Sequence, residues 1–141
     1  MIPVAVLCAL AAAAHYRIPA DALLAVYSVE GGHAYTWSPD SNGTADVGEL
    51  QFNTAYLQSL RRFGITPKDV EGHSCYPWFL AAWRIRGQLI HAGPHTGFWT
   101  AIAHYHSETP AIAAAYRRKL LRYAPAWRQW IKTHFPTYTV H

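Results

Sequence analysis

The segment LLAVYSVEGG, Leu23–Gly32, joins an apolar run to a single carboxylate and two glycines. Val26 and Tyr27 precede Glu30 by one helical turn, so the helix face that carries the carboxylate is apolar. The paired glycines after Glu30 are helix terminators. The segment therefore predicts a buried helix that ends on an acid.

Two effects favour the protonated form of Glu30. A carboxylate at a helix C-terminus meets the negative end of the helix dipole, and apolar neighbours remove water from it. A carboxyl group that holds its proton near neutral pH can serve as a general acid. A surface glutamate ahead of a glycine cap would produce the same pattern, so the residues alone leave both interpretations open.

Helical periodicity extends along the chain on both sides of this segment. The predicted helices are Val4–Tyr16, Ala20–Glu30, Gly48–Phe63, Tyr76–His91, Gly97–His106, Pro110–Tyr123 and Ala124–Phe135. The exception is the polar stretch Thr36–Val47, in which Asn42-Gly43 favours a tight hairpin turn. No repeat or linker interrupts the chain. We therefore expect one domain, residues 1–141, with a mainly α fold and a short β-hairpin wing.

Composition restricts the class of protein. The chain has 141 residues, of which 51% are hydrophobic and 14% aromatic, and this excludes a disordered protein. The formal charge is +4 and the pI is about 9.2, which suits an acidic polymer such as nucleic acid, an anionic lipid surface or the bacterial cell wall. The basic residues of the C-terminal half show no nucleic-acid motif, so we expect a solvated helical face and no nucleic-acid partner.

The N-terminal segment Met1–Ala14 is apolar, but no lysine or arginine precedes it, so the basic start of a signal peptide is missing. It reads as the first helix of the domain, in a chain whose signal segment is absent or trimmed. No apolar run reaches the length of about 20 residues that a membrane span needs. We expect no membrane span.

The cysteines and histidines show no metal-binding spacing. His104 and His106 alternate without a further ligand cluster, so we expect no metal. Cys8 and Cys75 can form one disulfide or remain two buried thiols. A disulfide would imply an oxidising compartment.

Four motifs in order carry a resemblance to a known family. They are AAHYRIP (Ala13–Pro19), the Glu-Gly-Gly helix end, GELQFN (Gly48–Asn53), and WTAIAHYHS followed by Thr-Pro (Trp99–Pro110). This order resembles the soluble lytic transglycosylase domain of glycoside hydrolase family 23, within the lysozyme superfamily. The likeness is strongest to the small members that accompany conjugation, type III secretion or pilus machines.

The resemblance implies a lysozyme-like fold and an activity on peptidoglycan. Glu30 would protonate the β-1,4 glycosidic oxygen between N-acetylmuramic acid and N-acetylglucosamine. It would then act as base on the muramic C6 hydroxyl, so that a 1,6-anhydro ring forms. The N-acetyl group of the substrate would stabilise the anomeric carbon, and neither a protein nucleophile nor a cofactor is expected.

Further roles follow from the same resemblance. The substrate-binding residues would be Leu50, Gln51, Asn53, Tyr105 and His106. Tyr105 would lie near Glu30 and orient the acid or its substrate. Cys8 and Cys75 fall where several of the small members carry a cysteine pair, which implies the disulfide. The partners would be peptidoglycan strands and components of a secretion, conjugation or pilus apparatus, with the protein in the periplasm or otherwise exported.

Two departures from the family pattern leave alternatives open. Glu49 stands where the family usually has an apolar residue, and it could face solvent, bind substrate or act as a second carboxylate. Asp46 occupies the place of the second catalytic aspartate of c-type lysozymes, which allows a lysozyme-type hydrolase. A non-catalytic wall-binding component of such a machine is the third interpretation.

Overall fold

A computed structural model describes residues 1–141. Its elements, in chain order, are α1 (Val4–Tyr16), α2 (Ala20–Glu30), β1 (Trp37–Pro39), β2 (Ala45–Val47), β3 (Phe52–Asn53), α3 (Thr54–Ser59), a 3₁₀ turn (Arg61–Phe63), α4 (Pro67–Val70), α5 (Tyr76–His91), α6 (Phe98–Ala103) and α7 (Pro110–His134). The strands form one antiparallel sheet in the order β1-β2-β3. The prediction of a mainly α fold with a short β wing is confirmed.

The predicted helix Gly48–Phe63 is wrong over its first six residues. These residues form a turn followed by β3, which pairs with β2 and makes a sheet of three strands instead of a two-stranded hairpin. Gly48 and Gln51 have φ angles of 74° and 55°, in the left-handed region that a right-handed helix cannot include. The helix begins only at α3, where the Asn53 side chain accepts a hydrogen bond of 2.9 Å from the backbone N–H of Ala55.

The two helices predicted at the C-terminus are a single helix, α7, with Pro125 inside it. A proline inside a helix removes one backbone hydrogen bond. The buried residues Leu120, Ala124 and Ile131 lie on both sides of Pro125, and their burial offsets this loss. The predicted helix Gly97–His106 is also shorter in the structure, because α6 ends at Ala103.

Helix α2 lies at the centre of the fold and packs along α7. Every residue from Ala20 to Val26 is buried, including Asp21, whose carboxylate lies 3.3 Å from Nε of Arg128. At the other end of α2, Glu30 contacts Tyr116. Because Asp21 meets the later part of α7 and Glu30 the earlier part, the two helices run antiparallel.

The buried side chains form one continuous hydrophobic core that draws on all of the longer helices and on the sheet. A disulfide joins Cys8 of α1 to Cys75 at the start of α5. This confirms the disulfide alternative. None of the helices combines the length and the apolar character that crossing a membrane requires.

The end of α2 packs against the turn that leads into β3. A Cβ atom at Gly32 would overlap the carbonyl oxygen of Gly48 and would lie 2.5 Å from Nε2 of Gln51. Only glycine allows this approach, because any side chain would separate the two segments. The contact brings Glu30 next to the residues that line the sheet.

Substitution of Gly32 tests this contact. We expect Gly32→Ala to lower the free energy of unfolding by about 1–3 kcal/mol, since the backbone must shift to admit the methyl group. The matched control is Gly87→Ala in α5, where a Cβ meets open space, and it should stabilise the protein by about 0.5–1 kcal/mol. Urea unfolding followed by circular dichroism measures both, and equal effects of the two substitutions would contradict the close approach.

Removal of the disulfide tests its contribution. The bond closes a loop of 67 residues, for which the chain-entropy model gives about 4 kcal/mol. We expect the double variant Cys8→Ala/Cys75→Ala to lose up to this amount in urea unfolding. A reductant should destabilise the wild type similarly and leave the double variant unchanged. A reductant effect on the double variant would show that the loss has another origin.

Candidate active site

A polar pocket of about 260 Å³ opens where α2 ends beside the sheet. We call it the Glu30 pocket. Its lining residues are Glu30, Asp40, Asp46, Gln51, Asn53, Arg84, Tyr105 and His106. Six of the predicted site residues therefore meet here. They come from α2, the sheet and the turn that follows α6, with Arg84 contributed by α5.

Glu30 is largely buried, and this burial raises its pKa to about 7. The hydroxyl of Tyr116 donates a hydrogen bond of 2.5 Å to Oε2, and this bond lowers the pKa. The nearby charge of Asp46 raises the pKa, whereas the charges of Arg84 and Lys119 lower it. Near neutral pH a substantial fraction of Glu30 therefore carries its proton, and the groups around it can stabilise the carboxylate once the proton leaves.

Tyr116 was not identified from the sequence. It lies on α7 in a buried row with Ala113 and Leu120, so its helical spacing indicates a core position only. His106 stacks on the Tyr116 ring with centroids 4.8 Å apart and planes nearly parallel. The pair forms one wall of the site beside Glu30.

Asn53 organises the acidic side of the pocket. Its Oδ1 accepts from the backbone N–H of Ala55, so the amide nitrogen must face the carboxylates. Nδ2 lies 3.1 Å from Asp46 Oδ1, 3.1 Å from Asp40 Oδ2 and 2.8 Å from the hydroxyl oxygen of Thr44. Two amide hydrogens are therefore shared among three acceptors.

Asp46 shares the pocket with Glu30, but its carboxyl group is engaged by its neighbours. Burial raises the pKa of Asp46, the hydrogen bond from Asn53 lowers it, and the charge of Asp40 raises it. Asp40 had no signal in the sequence beyond its place in the polar hairpin. Because Asp40 lies beside Asp46, the two carboxyl groups affect each other's protonation.

Tyr105 lines the pocket but does not hydrogen-bond to Glu30. Its hydroxyl donates to the backbone oxygen of Leu50 at 3.0 Å. The guanidinium of Arg84 lies over the ring of Tyr105 at 4.6 Å and over that of Tyr56 at 3.9 Å. Tyr105 therefore supports the charge that faces Glu30, and the predicted orienting hydroxyl is supplied by Tyr116.

The predicted contact between Leu50 and the substrate requires correction. The Leu50 side chain has an exposed fraction of 0%, so it belongs to the core, and only its carbonyl oxygen serves the site as the acceptor for Tyr105. The resemblance implied that Leu50 binds substrate, but Leu50 lies in the turn before β3 and its side chain packs into the hydrophobic core.

Gln51 and His106 present polar groups to the Glu30 pocket. Nε2 of Gln51 donates to the carbonyl oxygen of Gly48 at 2.8 Å, which holds the side chain across the turn. His106 has one exposed side at the pocket mouth, while partial burial of its ring and then the charge of Lys119 lower its pKa. Both residues can therefore offer hydrogen bonds to a ligand without carrying a charge.

Glu49 lies outside the Glu30 pocket. It lines a neighbouring pocket of about 370 Å³ together with Tyr27, Gly32, His33 and His73. Of the two candidate second carboxylates, the structure therefore brings Asp46 to Glu30 and turns Glu49 to the other side of the Gly32 contact.

Comparisons with known proteins do not extend this description, because no protein-family model matches the chain and no curated protein matches its sequence.

The raised pKa of Glu30 predicts a pH dependence of stability. An exposed glutamate in the unfolded chain ionises near 4.5, whereas the folded protein keeps this proton up to about pH 7. The stabilisation is therefore complete below pH 4.5 and is lost as the pH rises through 7. Relative to Glu30→Gln, the wild type should lose about 3 kcal/mol of unfolding free energy across this range.

Urea unfolding of both proteins at a series of pH values measures this difference. Tyr116→Phe removes the bond that lowers the pKa, so the loss should extend to higher pH in that variant. Tyr123→Phe, exposed on the same helix, is the matched control and should behave as the wild type. A wild type whose stability relative to Glu30→Gln stays constant between pH 4.5 and 7 would show that Glu30 ionises normally.

Proposed function

We propose that this protein is a peptidoglycan lytic transglycosylase with Glu30 as its catalytic acid and base. The observation that carries the proposal is the carboxyl group itself. It is buried at the end of a helix, its pKa is about 7, and it opens into a polar pocket. The order of sequence motifs that resembles family 23 supports the same activity.

In the first step Glu30 donates its proton to the glycosidic oxygen as the bond to the muramic C1 breaks. Burial keeps the proton on Glu30 before the reaction. The Tyr116 hydroxyl and the charges of Arg84 and Lys119 favour the carboxylate that remains. These groups therefore stabilise the charge that develops in the transition state.

In the second step the Glu30 carboxylate accepts the proton of the muramic C6 hydroxyl. The C6 oxygen then bonds to C1, which closes the 1,6-anhydro ring and returns Glu30 to its acid form. The N-acetyl oxygen of the substrate stabilises C1 between the two steps. This route needs one carboxyl group that changes its protonation state readily near neutral pH, as a pKa of about 7 allows.

The second candidate is a lysozyme-type hydrolase, because Asp46 lines the same pocket as Glu30. In that reaction Asp46 would stabilise the positive C1 as a free carboxylate. The Asn53 amide already occupies Oδ1 of Asp46, and Asp40 lies beside it, so the carboxyl group is less available to C1. We therefore favour the lyase.

The setting of the reaction follows from the same proposal. The disulfide is compatible with export to an oxidising compartment such as the periplasm. Local cleavage of the wall there would make room for a secretion, conjugation or pilus apparatus. A wall-binding component without activity would bind the same polymer and leave it intact.

Digestion of purified sacculi tests the activity and the type of product together. We expect the wild type to release muropeptides with 1,6-anhydro ends, which are lighter by one water than the reducing ends left by a hydrolase. Glu30→Gln should lower the rate by about 100-fold or more, since the proton donor is gone. Mass spectrometry of the products measures both.

The control variant is Glu108→Gln, a carboxylate exposed on the surface, which should digest sacculi at the wild-type rate. Reducing ends that disappear in Asp46→Asn would favour the hydrolase. Binding to sacculi without release of products would favour the wall-binding component. Full activity of Glu30→Gln would exclude both enzymatic proposals.

A further inference from the structure

The pocket that contains Glu49 has no role in the reaction proposed for Glu30. We call it the Glu49 pocket, lined chiefly by Tyr27, Gly32, His33, Glu49 and His73. The Glu49 side chain retains an exposed fraction of only 12%. A carboxylate removed from water to this extent normally has hydrogen-bond donors around it.

No protein group donates a hydrogen bond to Glu49. The nearest basic group is the His73 ring, whose Nδ1 lies 3.8 Å from Oε1, within ion-pair distance but beyond hydrogen-bond distance, and that side chain is 75% exposed. None of the polar atoms of Glu49 is fully enclosed and unpaired, so its oxygens open into the pocket. The carboxylate is therefore shielded from water and has no hydrogen-bond donor in the protein.

The Glu49 pocket and the Glu30 pocket are neighbours. Gly32 lines the first and Gln51 the second, and a Cβ atom at Gly32 would lie 2.5 Å from Nε2 of Gln51. One close contact therefore separates the two pockets. Because both pockets border this contact, an extended ligand that passes over it would reach both.

The carboxylate in the Glu49 pocket favours a ligand group that is a positively charged hydrogen-bond donor. A shielded carboxylate gains most from a positively charged N–H group, because such a group supplies both a charge and a hydrogen bond. The phenol of Tyr27 lies near Glu49, and burial followed by the charge of Glu49 raises its pKa, so it adds a neutral donor and acceptor. The imidazole rings of His33 and His73 line the same pocket and add further polar nitrogen atoms.

We propose that the Glu49 pocket binds the primary ammonium group of a diamino acid in the stem peptide of peptidoglycan. This inference rests on the proposed function, because the stem is attached to the muramic acid whose bond Glu30 would break. A peptide advances about 3.5 Å per residue, so an amine two or three residues along the stem lies about 10 Å from the sugar. Glu49 is then a specificity-determining residue that selects strands with uncapped stems.

The test compares uncrosslinked glycan strands in three forms: with free stem amines, with the amines acetylated, and with the stems removed. For the wild type we expect kcat/KM on free-amine strands to exceed that on acetylated strands about tenfold. In Glu49→Gln, which keeps the size and removes the charge, this ratio should fall to about one. The Glu108→Gln variant should keep the wild-type ratio.

Two further readouts separate ligand binding from a structural role of Glu49. Raising the ionic strength should reduce the preference of the wild type and leave the ratio of Glu49→Gln unchanged, because salt screens charge pairs. His73→Asn removes the imidazole ring nearest to Glu49, so the preference of this variant for free amines should equal or exceed that of the wild type. If Glu49 only pairs with His73, the two variants should lose the preference together, and this would overturn the proposal.

The three substrates also keep the two proposals apart. Cleavage of stem-free strands with equal rates on free and acetylated stems would overturn the ammonium site and leave the transglycosylase in place. Equal rates that nevertheless fall in Glu49→Gln would indicate a neutral donor, such as a sugar acetamide, and would overturn it as well. Failure to cleave any strand would overturn both.

Discussion

The packing of α2 against α7 determines where every functional group of this protein lies. At one end of the pair, the fully buried Asp21 meets Arg128 and also accepts a hydrogen bond of 2.9 Å from the backbone of His141. At the other end, Glu30 meets Tyr116. A buried charge that loses its partner costs about 3–5 kcal/mol, so the Asp21 contacts restrict sliding of one helix along the other. The register that they favour is the one in which the phenol of Tyr116 reaches the carboxyl group of Glu30.

The second constraint is the contact between the end of α2 and the turn before β3. Gly32 admits the carbonyl oxygen of Gly48, and Gln51 holds a left-handed backbone conformation that costs about 1–2 kcal/mol in a residue with a side chain. Together they place the sheet residues beside Glu30 and turn Glu49 to the opposite side. One tight contact thus creates two pockets with different charge. The first holds Glu30 together with Arg84 and two aspartates, and the second holds Glu49 without a hydrogen-bond donor.

The Glu30 pocket balances opposing effects on a single proton. Burial alone would keep the proton on Glu30 permanently, whereas Tyr116, Arg84 and Lys119 all favour its release. The resulting pKa near 7 lets the group give up a proton and take one back near neutral pH, as the proposed reaction requires. The network of Asn53 with Asp46 and Asp40 keeps the remaining carboxyl groups in a defined arrangement across the pocket.

The sequence by itself determined helices α1, α2 and α5, the two glycines that end α2 and the apolar surroundings of Glu30, because these depend on residues one helical turn apart, whereas it divided α7 into two helices at Tyr123. Helical periodicity wrongly predicted a helix over Gly48–Asn53, where Gly48 and Gln51 have left-handed backbone conformations. Helical periodicity could not identify Tyr116 as a site residue, because Tyr116 is 86 positions from Glu30 and has the spacing of an ordinary core residue. Arg84 was likewise hidden in a helix, although a cation one turn after the buried Leu80 and Ala81 is a signal that could have been used. Only the tertiary structure decided the pKa of Glu30 and the separation of Glu49 from it, because both depend on which distant helices and turns come into contact.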